Sequence, residues 1–116
     1  AAERYQREKN RYSQKSRLMA SRGGETTLDI INQLGLHARA ASKLTRLCAS
    51  FNSKIIFSKI VDGEKKTTAD GKNIMALMLL AAGKGSQLHL HCEGDDAAQA
   101  LAAITQLFAD RFDESE

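Results

Sequence analysis

The chain has 116 residues, a net charge of +3, 42% hydrophobic residues and two cysteines, which suits one domain that buries a modest core. Its longest apolar run, at 74–82, is too short to cross a membrane, and its polar, basic start lacks a secretory signal pattern. Cys48 and Cys92 fit no metal-ligand spacing, and we favour two buried, reduced thiols in a cytoplasmic protein over a disulfide between them.

Positive charge is concentrated at the amino terminus. Residues 1–24 contain seven Lys and Arg against two Glu, whereas residues 25–116 carry a net charge of −2. The first segment ends in Ser-Arg-Gly-Gly, which is typical of a linker, and we predict a flexible basic tail over 1–24. A folded domain over 25–116 with a weak negative charge gives no reason to expect a nucleic-acid-binding surface, although the tail itself could contact nucleic acid.

The spacing of apolar residues divides the domain into four strands and three helices. Strands alternate apolar and polar side chains, as in Leu88, Leu90 and Cys92 with His89 and His91 between them. Helices repeat apolar residues at spacings of three and four. The predicted elements are a strand at 26–31, a loop at 32–36, a helix at 38–51, a strand at 54–58, a hairpin turn at 62–63, a strand at 64–69, a short helix at 74–80 capped by Asn73, a strand at 87–92, and a helix from Asp95 and Asp96 to Phe112.

This order of elements predicts an α+β fold. Each of the four strands has one apolar face, and three helices are enough to cover the face that they form together. We therefore expect a four-stranded, mainly antiparallel sheet covered on one face by three helices, with its other face in water.

His37 is the main candidate for a reactive residue. The segment at 34–40, Leu-Gly-Leu-His-Ala-Arg-Ala, places it between a glycine-containing loop and a predicted helix. If His37 caps that helix, backbone N–H groups and the Arg39 guanidinium can hold a phosphoryl group around its imidazole. Arg39 can cooperate only if His37 lies outside the helical turn, because residues two apart on a helix face different sides. The alternative is an ordinary capping or core histidine beside a solvated arginine.

Two segments resemble the HPr family, the histidine phosphocarriers of the bacterial phosphotransferase system. Residues 35–41, Gly-Leu-His-Ala-Arg-Ala-Ala, resemble its active-site motif. Residues 70–85, Asp-Gly-Lys-Asn-Ile-Met-Ala-Leu-Met-Leu-Leu-Ala-Ala-Gly-Lys-Gly, resemble its regulatory-site and short-helix region. Both have the family's order and spacing, so the resemblance covers residues 25–116. It implies an open-faced β-sandwich of four strands and three helices.

The resemblance also implies a function. His37 would accept a phosphoryl group on its δ nitrogen from enzyme I, itself charged by phosphoenolpyruvate, and would pass it to a IIA-type acceptor protein. Arg39 matches the family arginine, and the backbone N–H groups of Ala38, Arg39 and Ala40 are further expected phosphate ligands. The protein would be a monomeric relay rather than a free-standing enzyme, without metal or cofactor, and the segment at 74–80 would form part of its partner-docking surface.

Two residues depart from the family pattern. Ala40 stands where many members have proline, and because alanine restores a backbone N–H, we expect the helix start to persist. Asn73 stands at the position of the serine that HPr kinase phosphorylates, and it can cap a helix but cannot accept that phosphate. Asn73 and the Phe-Asp-Glu ending at 112–114 are similar to the nitrogen-related branch of the family.

Other functions find less support in the sequence. A small α+β RNA- or ligand-binding module has a similar element order, but RNA recognition needs exposed aromatic residues on central strands, and Phe57 lies on an apolar face. A free-standing phosphatase or transferase would need a second base or a metal cluster. His89 and His91 have the spacing of a strand-borne metal pair without a third ligand, so we expect them to face solvent. Lys43 and Arg46 are expected to be solvated charges, or contacts for an acidic partner.

Overall fold

The computed structural model describes residues 23–114, in which a four-stranded sheet packs against three helices. In chain order the elements are β1 (Gly23–Asp29), α1 (Ala38–Ala49), β2 (Lys54–Val61), β3 (Glu64–Asp70), α2 (Ile74–Leu79), β4 (Gln87–Glu93) and α3 (Ala97–Ala109). The predicted order and the α+β class are confirmed. Of the predicted tail, all but the last two residues lie outside the described residues.

The sheet has the strand order β1-β4-β2-β3, and every pair is antiparallel. Strand β4 therefore lies between the amino-terminal strand and the β2–β3 hairpin, whose turn places Asp62 and Gly63 in the left-handed region (φ +54° and +79°). The helices cover one face only, so the predicted open-faced arrangement is confirmed.

Strand β1 begins earlier than the sequence predicts. Gly23 and Gly24 pair with Glu93 and Cys92 of β4 instead of belonging to a linker. A Cβ on Gly23 would lie 3.1 Å from the carbonyl oxygen of Cys92, and one on Gly24 would lie 3.3 Å from a methyl group of Leu101. Because glycine has no side chain, β1 can lie close to Cys92 and Leu101. These two glycines therefore serve close packing and not the flexibility of a linker.

The hydrophobic core lies between the covered face of the sheet and the helices. Its largest fully buried side chains are Phe57, Phe112, Ile30, Leu44, Ile55, Leu77, Leu80, Leu88, Leu90 and Ile104. Phe57 stacks on Phe108, with ring centroids 6.1 Å apart, and Phe108 in turn contacts Phe112 at 4.8 Å. Each large apolar side chain buried in this way contributes about 1.5–3 kcal/mol, and the predicted inward faces of the strands are confirmed.

Both cysteines are free thiols in this core, as predicted. Burial raises the pKa of Cys48 to about 12 and that of Cys92 to about 11. At neutral pH both thiols are therefore protonated, and a buried thiol in this form is unreactive. Within residues 23–114 the longest helix has 13 residues, and none combines the length and the apolar character that a membrane crossing requires.

Candidate functional site

His37 lies at the amino-terminal cap of α1, as predicted. Its backbone is extended (φ −82°, ψ −179°), and its Nδ1 accepts a hydrogen bond from the backbone N–H of Arg39 at 3.3 Å. Because a backbone N–H can only donate, Nδ1 is the unprotonated nitrogen in this arrangement, and the ring proton lies on Nε2. The imidazole thus presents its lone pair to the start of the helix.

Residues of the second motif support the loop that carries His37. Gly35 has a φ of +69°, and a Cβ there would lie 2.7 Å from the Cα of Gly83. The N–H of Leu36 donates to the carbonyl oxygen of Ala82 at 2.8 Å. The two segments that resemble one family therefore meet in space, although residues 42–69 lie between them in the chain.

Glu114 contacts the other side of the imidazole. His37 Nε2–H donates to Glu114 Oε2 at 2.5 Å, and the buried Asn32 donates through Nδ2 to Glu114 Oε1 at 3.0 Å. Partial burial raises the pKa of the Glu114 carboxyl, but the hydrogen bonds from His37 and Asn32, helped by the positive charge of Lys43, outweigh burial and leave the pKa below its ordinary value of 4.5. This carboxylate is therefore ionised at neutral pH.

A left-handed turn at Arg111–Asp113, here called the C-terminal turn, brings Glu114 to this position. Helix α3 ends at Ala109, short of the predicted end at Phe112, and the three residues of the turn have φ values of +56°, +55° and +64°. Phe112 is fully buried against Phe108, which holds the turn on the core. Burial of this one aromatic side chain thus overrides the helical spacing that predicted a longer α3.

Lys43 also stabilises the C-terminal turn through a hydrogen bond. Its Nζ donates to the carbonyl oxygen of Phe112 at 2.8 Å, and the side chain is partly buried. The prediction of a solvated charge is therefore wrong for Lys43, because it did not foresee a backbone acceptor from the end of the chain. Arg46 is exposed and donates to Ser42 Oγ at 3.0 Å, in agreement with its predicted surface position.

Arg39 lies in the first turn of α1 beside His37. Its side chain is exposed, and within residues 23–114 its guanidinium has no hydrogen-bond or ion-pair partner. The backbone N–H groups of Ala38, Arg39 and Ala40 belong to the first turn, where a helix offers them no internal acceptor. The helix start also persists with Ala40 in place of proline, as expected.

Glu114, which contacts the imidazole, and Asn32, which binds Glu114, are both absent from the sequence-based site. Asn32 could have been suspected, because an amide side chain in the loop before a candidate nucleophile is available for local hydrogen bonds. The sequence drew attention to Glu114 only as part of the Phe-Asp-Glu ending at 112–114 and gave it no place at the site, since residues 111–113 contain no glycine that would indicate a left-handed turn.

An exposed apolar surface lies on α2. Asn73 Oδ1 accepts from the N–H of Ala76 at 3.0 Å, which confirms the predicted cap. Leu77 and Leu80 are buried in the core. The exposed apolar side chains of the helix are Met75 at 64%, Met78 at 39% and Leu79 at 74% of full exposure.

The two remaining histidines lie on the open face of the sheet, as predicted. His89 hydrogen-bonds Glu25 at 2.6 Å, and His91 lies 3.5 Å from a carboxylate oxygen of Glu93. Among the residues described, no three His, Cys, Asp or Glu side chains are arranged to hold a metal ion. Phe57 is fully buried, so the strands offer no exposed aromatic side chain for RNA.

Comparisons with known proteins agree on one family. Residues 25–110 match the family model described as "PTS HPr component phosphorylation site". The chain is 45% identical over 89 residues to the phosphocarrier protein HPr of Pseudomonas aeruginosa, covering 77% of this chain and 94% of that protein. It is 43% identical over 91 residues to the phosphocarrier protein NPr of Shewanella violacea, covering 78% and 94%. The identities to HPr and NPr proteins are thus similar, and they give no preference to the nitrogen-related branch.

Solved structures show the same similarity. A crystal structure of HPr from Thermoanaerobacter tengcongensis has a TM-score of 0.71 and 32% sequence identity, covering 80% of this chain and 99% of that one. The phosphocarrier protein HPr of Bacillus anthracis has a TM-score of 0.64 and 32% identity, covering 72% and 94%. Sequence and structure therefore point to the same group of proteins.

Proposed function

This chain belongs to the HPr family of phosphotransferase-system phosphocarriers, and on that premise we propose that it accepts a phosphoryl group on His37 from enzyme I and passes it to a IIA-type protein. One observation carries the proposal. The imidazole of His37 caps α1, its unprotonated Nδ1 accepts from the first-turn N–H of Arg39, and the Arg39 side chain is exposed.

The cap geometry supplies ligands for the phosphoryl group. The N–H of Arg39 donates to Nδ1 in the free protein, and it is released when Nδ1 bonds to phosphorus. It can then donate to a phosphoryl oxygen, together with the N–H groups of Ala38 and Ala40. The positive end of the helix favours the dianion, and the guanidinium of Arg39 adds a charge-assisted hydrogen bond.

The exposure of the site suits transfer between proteins. The His37 side chain is 24% exposed, so part of the imidazole is open to a donor and to an acceptor protein. All binding groups named above come from the chain itself, and the proposal requires no metal or other cofactor. We expect the protein to act as a cytoplasmic monomer that turns over only with its partners.

The apolar surface of α2 supports a role in partner docking. Met75, Met78 and Leu79 are exposed, and Leu34 of the loop before His37 is 67% exposed. Exposed apolar side chains of this kind mark interaction surfaces, and methionine adapts to partners of different shape. Enzyme I and a IIA-type protein would use this surface in turn.

A two-step transfer experiment tests the proposal. The full chain is incubated with enzyme I, magnesium and phosphoenolpyruvate, and a IIA-type protein is added afterwards. An acid-labile phosphoryl group is expected to appear on the carrier and then to move to the IIA-type protein, and His37→Ala should abolish both steps. A carrier adduct that persists in His37→Ala would overturn the assignment.

A further inference from the structure

We propose, on the basis of the function proposed above, that Glu114 is a positioning residue that keeps the His37 proton on Nε2 and so directs phosphoryl transfer to Nδ1. No sequence motif assigns a role to this residue. The geometry of the C-terminal turn and of the imidazole carries the inference.

Both ring nitrogens of His37 are occupied in complementary ways. Nδ1 accepts from the N–H of Arg39, and Nε2–H donates to Glu114 Oε2 at 2.5 Å. The first contact requires a lone pair on Nδ1, and the second requires a proton on Nε2, so both favour the same tautomer. Without Glu114, only the long hydrogen bond of 3.3 Å from the Arg39 N–H would favour the tautomer with the proton on Nε2.

The carboxylate is itself held in place. Its Oε1 accepts from Asn32 Nδ2 at 3.0 Å, and the same Nδ2 donates to the carbonyl oxygen of Gly35 at 2.8 Å. Asn32 is fully buried, and the Glu114 side chain is 14% exposed, so neither group can turn freely. Glu114 is thereby tied to the loop that carries His37 and cannot easily swing away from Nε2.

The backbone before Glu114 is specialised for this placement. Three successive residues without glycine adopt left-handed conformations at Arg111–Asp113, which L-residues do rarely and mostly one at a time. Such conformations persist only where surrounding contacts hold them, and they cluster at functional sites. Here Phe112 is buried in the core and Lys43 binds its carbonyl oxygen, and the next residue but one is Glu114.

The chemistry of transfer explains why the contact is useful. As Nδ1 attacks, its bond to phosphorus forms while the bond from phosphorus to the phosphorylated donor protein breaks, and that electron pair stays with the donor. The His37 ring keeps its Nε2 proton and gains positive charge, which the ionised Glu114 stabilises. In onward transfer the same protonated ring is the better leaving group, because it departs from phosphorus as a neutral imidazole.

The test compares Glu114→Gln with Asp113→Asn, a matched control that removes the same charge from the exposed neighbouring residue. Nitrogen-15 NMR of the imidazoles reports the tautomer, and the rate of phosphorylation by enzyme I reports transfer. Glu114→Gln should shift the His37 ring toward a mixture of tautomers and slow phosphorylation about tenfold, as for loss of one charge-assisted hydrogen bond. Asp113→Asn should change neither, and Glu114→Asp, which retains the carboxylate, should recover part of the rate.

The variants Glu114→Gln and His37→Ala together distinguish a failure of the role of Glu114 from a failure of the proposed function. If Glu114→Gln keeps the wild-type tautomer and rate while His37→Ala is inactive, the role of Glu114 is overturned and the phosphocarrier assignment stands. If His37→Ala is phosphorylated normally, the proposed function fails first. The ring nitrogen shifts of His89 and His91 serve as internal references, since both residues lie on the open face of the sheet.

Discussion

At the scale of single residues, the chemistry proposed for His37 depends on the position where the helix begins. The cap geometry releases its side chain from the helical periodicity, which is why a histidine and an arginine two residues apart can act on one ligand. The motif at 35–41 therefore predicted the positions of His37 and Arg39 from sequence. It could not predict Asn32 and Glu114, because their positions depend on contacts between residues 82 apart in the chain.

Arg39 can be tested against Arg46, an exposed arginine further along the same helix. Replacing Arg39 with alanine should slow phosphoryl transfer from enzyme I by about ten- to a hundredfold, the equivalent of a charge-assisted hydrogen bond of about 1.5–3 kcal/mol. Arg46→Ala should leave the rate within about twofold, since a surface arginine away from the site contributes little. Equal effects of the two substitutions would show that general positive charge, rather than a phosphate contact, matters.

At the scale of elements, α2 has one buried face and one exposed face. Leu77 on its inner face is buried in the core, whereas Met75, Met78 and Leu79 on its outer face are exposed. The sequence predicted this short helix and its cap at Asn73, because capping residues and helical periodicity are local properties of the sequence. The end of α3 was not predictable in the same way. Phe112 continues the apolar spacing of the helix and is buried, but its backbone is left-handed and no longer belongs to the helix.

Substitutions on the two faces of α2 should separate stability from docking. Leu77→Ala removes a fully buried side chain and should lower the free energy of unfolding by about 2–5 kcal/mol in a urea titration. Met75→Ala, at 64% exposure, should change it by less than about 0.5 kcal/mol but should raise the concentration of carrier that enzyme I needs for half-maximal rate. A Met75→Ala carrier with unchanged kinetics toward both partners would remove Met75 from the docking surface.

At the scale of the whole molecule, contacts between residues distant in sequence connect the elements of the fold. Asp96, at the start of α3, accepts hydrogen bonds from the backbone N–H groups of Asn52 and Ser53 at 2.8 Å and 2.9 Å, and from the Ser53 hydroxyl. The sequence correctly placed Asp96 at the helix start, yet its carboxylate binds the loop before β2 rather than capping its own helix. The element order and the covered face of the sheet were predictable, whereas such links between elements were not.

The contact of the Asp96 carboxylate with Asn52 and Ser53 should make the stability of the fold depend on pH. Hydrogen bonds from the Ser53 side chain and from the backbone of Asn52 lower the pKa of Asp96 below its ordinary value of 3.8. Because the folded-state pKa is depressed, the stabilisation is complete above the ordinary value and is lost as the pH falls through the folded-state pKa. The melting temperature of Asp96→Asn should therefore lie below that of the wild type at pH 7, and the gap should narrow below pH 3.8. A gap that is constant across this range would contradict the predicted titration.

The central claim is that Nδ1 of His37 carries the phosphoryl group, and NMR of the phosphorylated carrier tests it most directly. With nitrogen-15 in the imidazoles, coupling between phosphorus and nitrogen identifies the bonded atom among all three histidines of the chain. We predict one phosphorus signal coupled to Nδ1 of His37, with the rings of His89 and His91 unchanged. Coupling to either of those histidines or to Nε2 of His37, or a phosphorus signal coupled to no histidine nitrogen, would contradict the account.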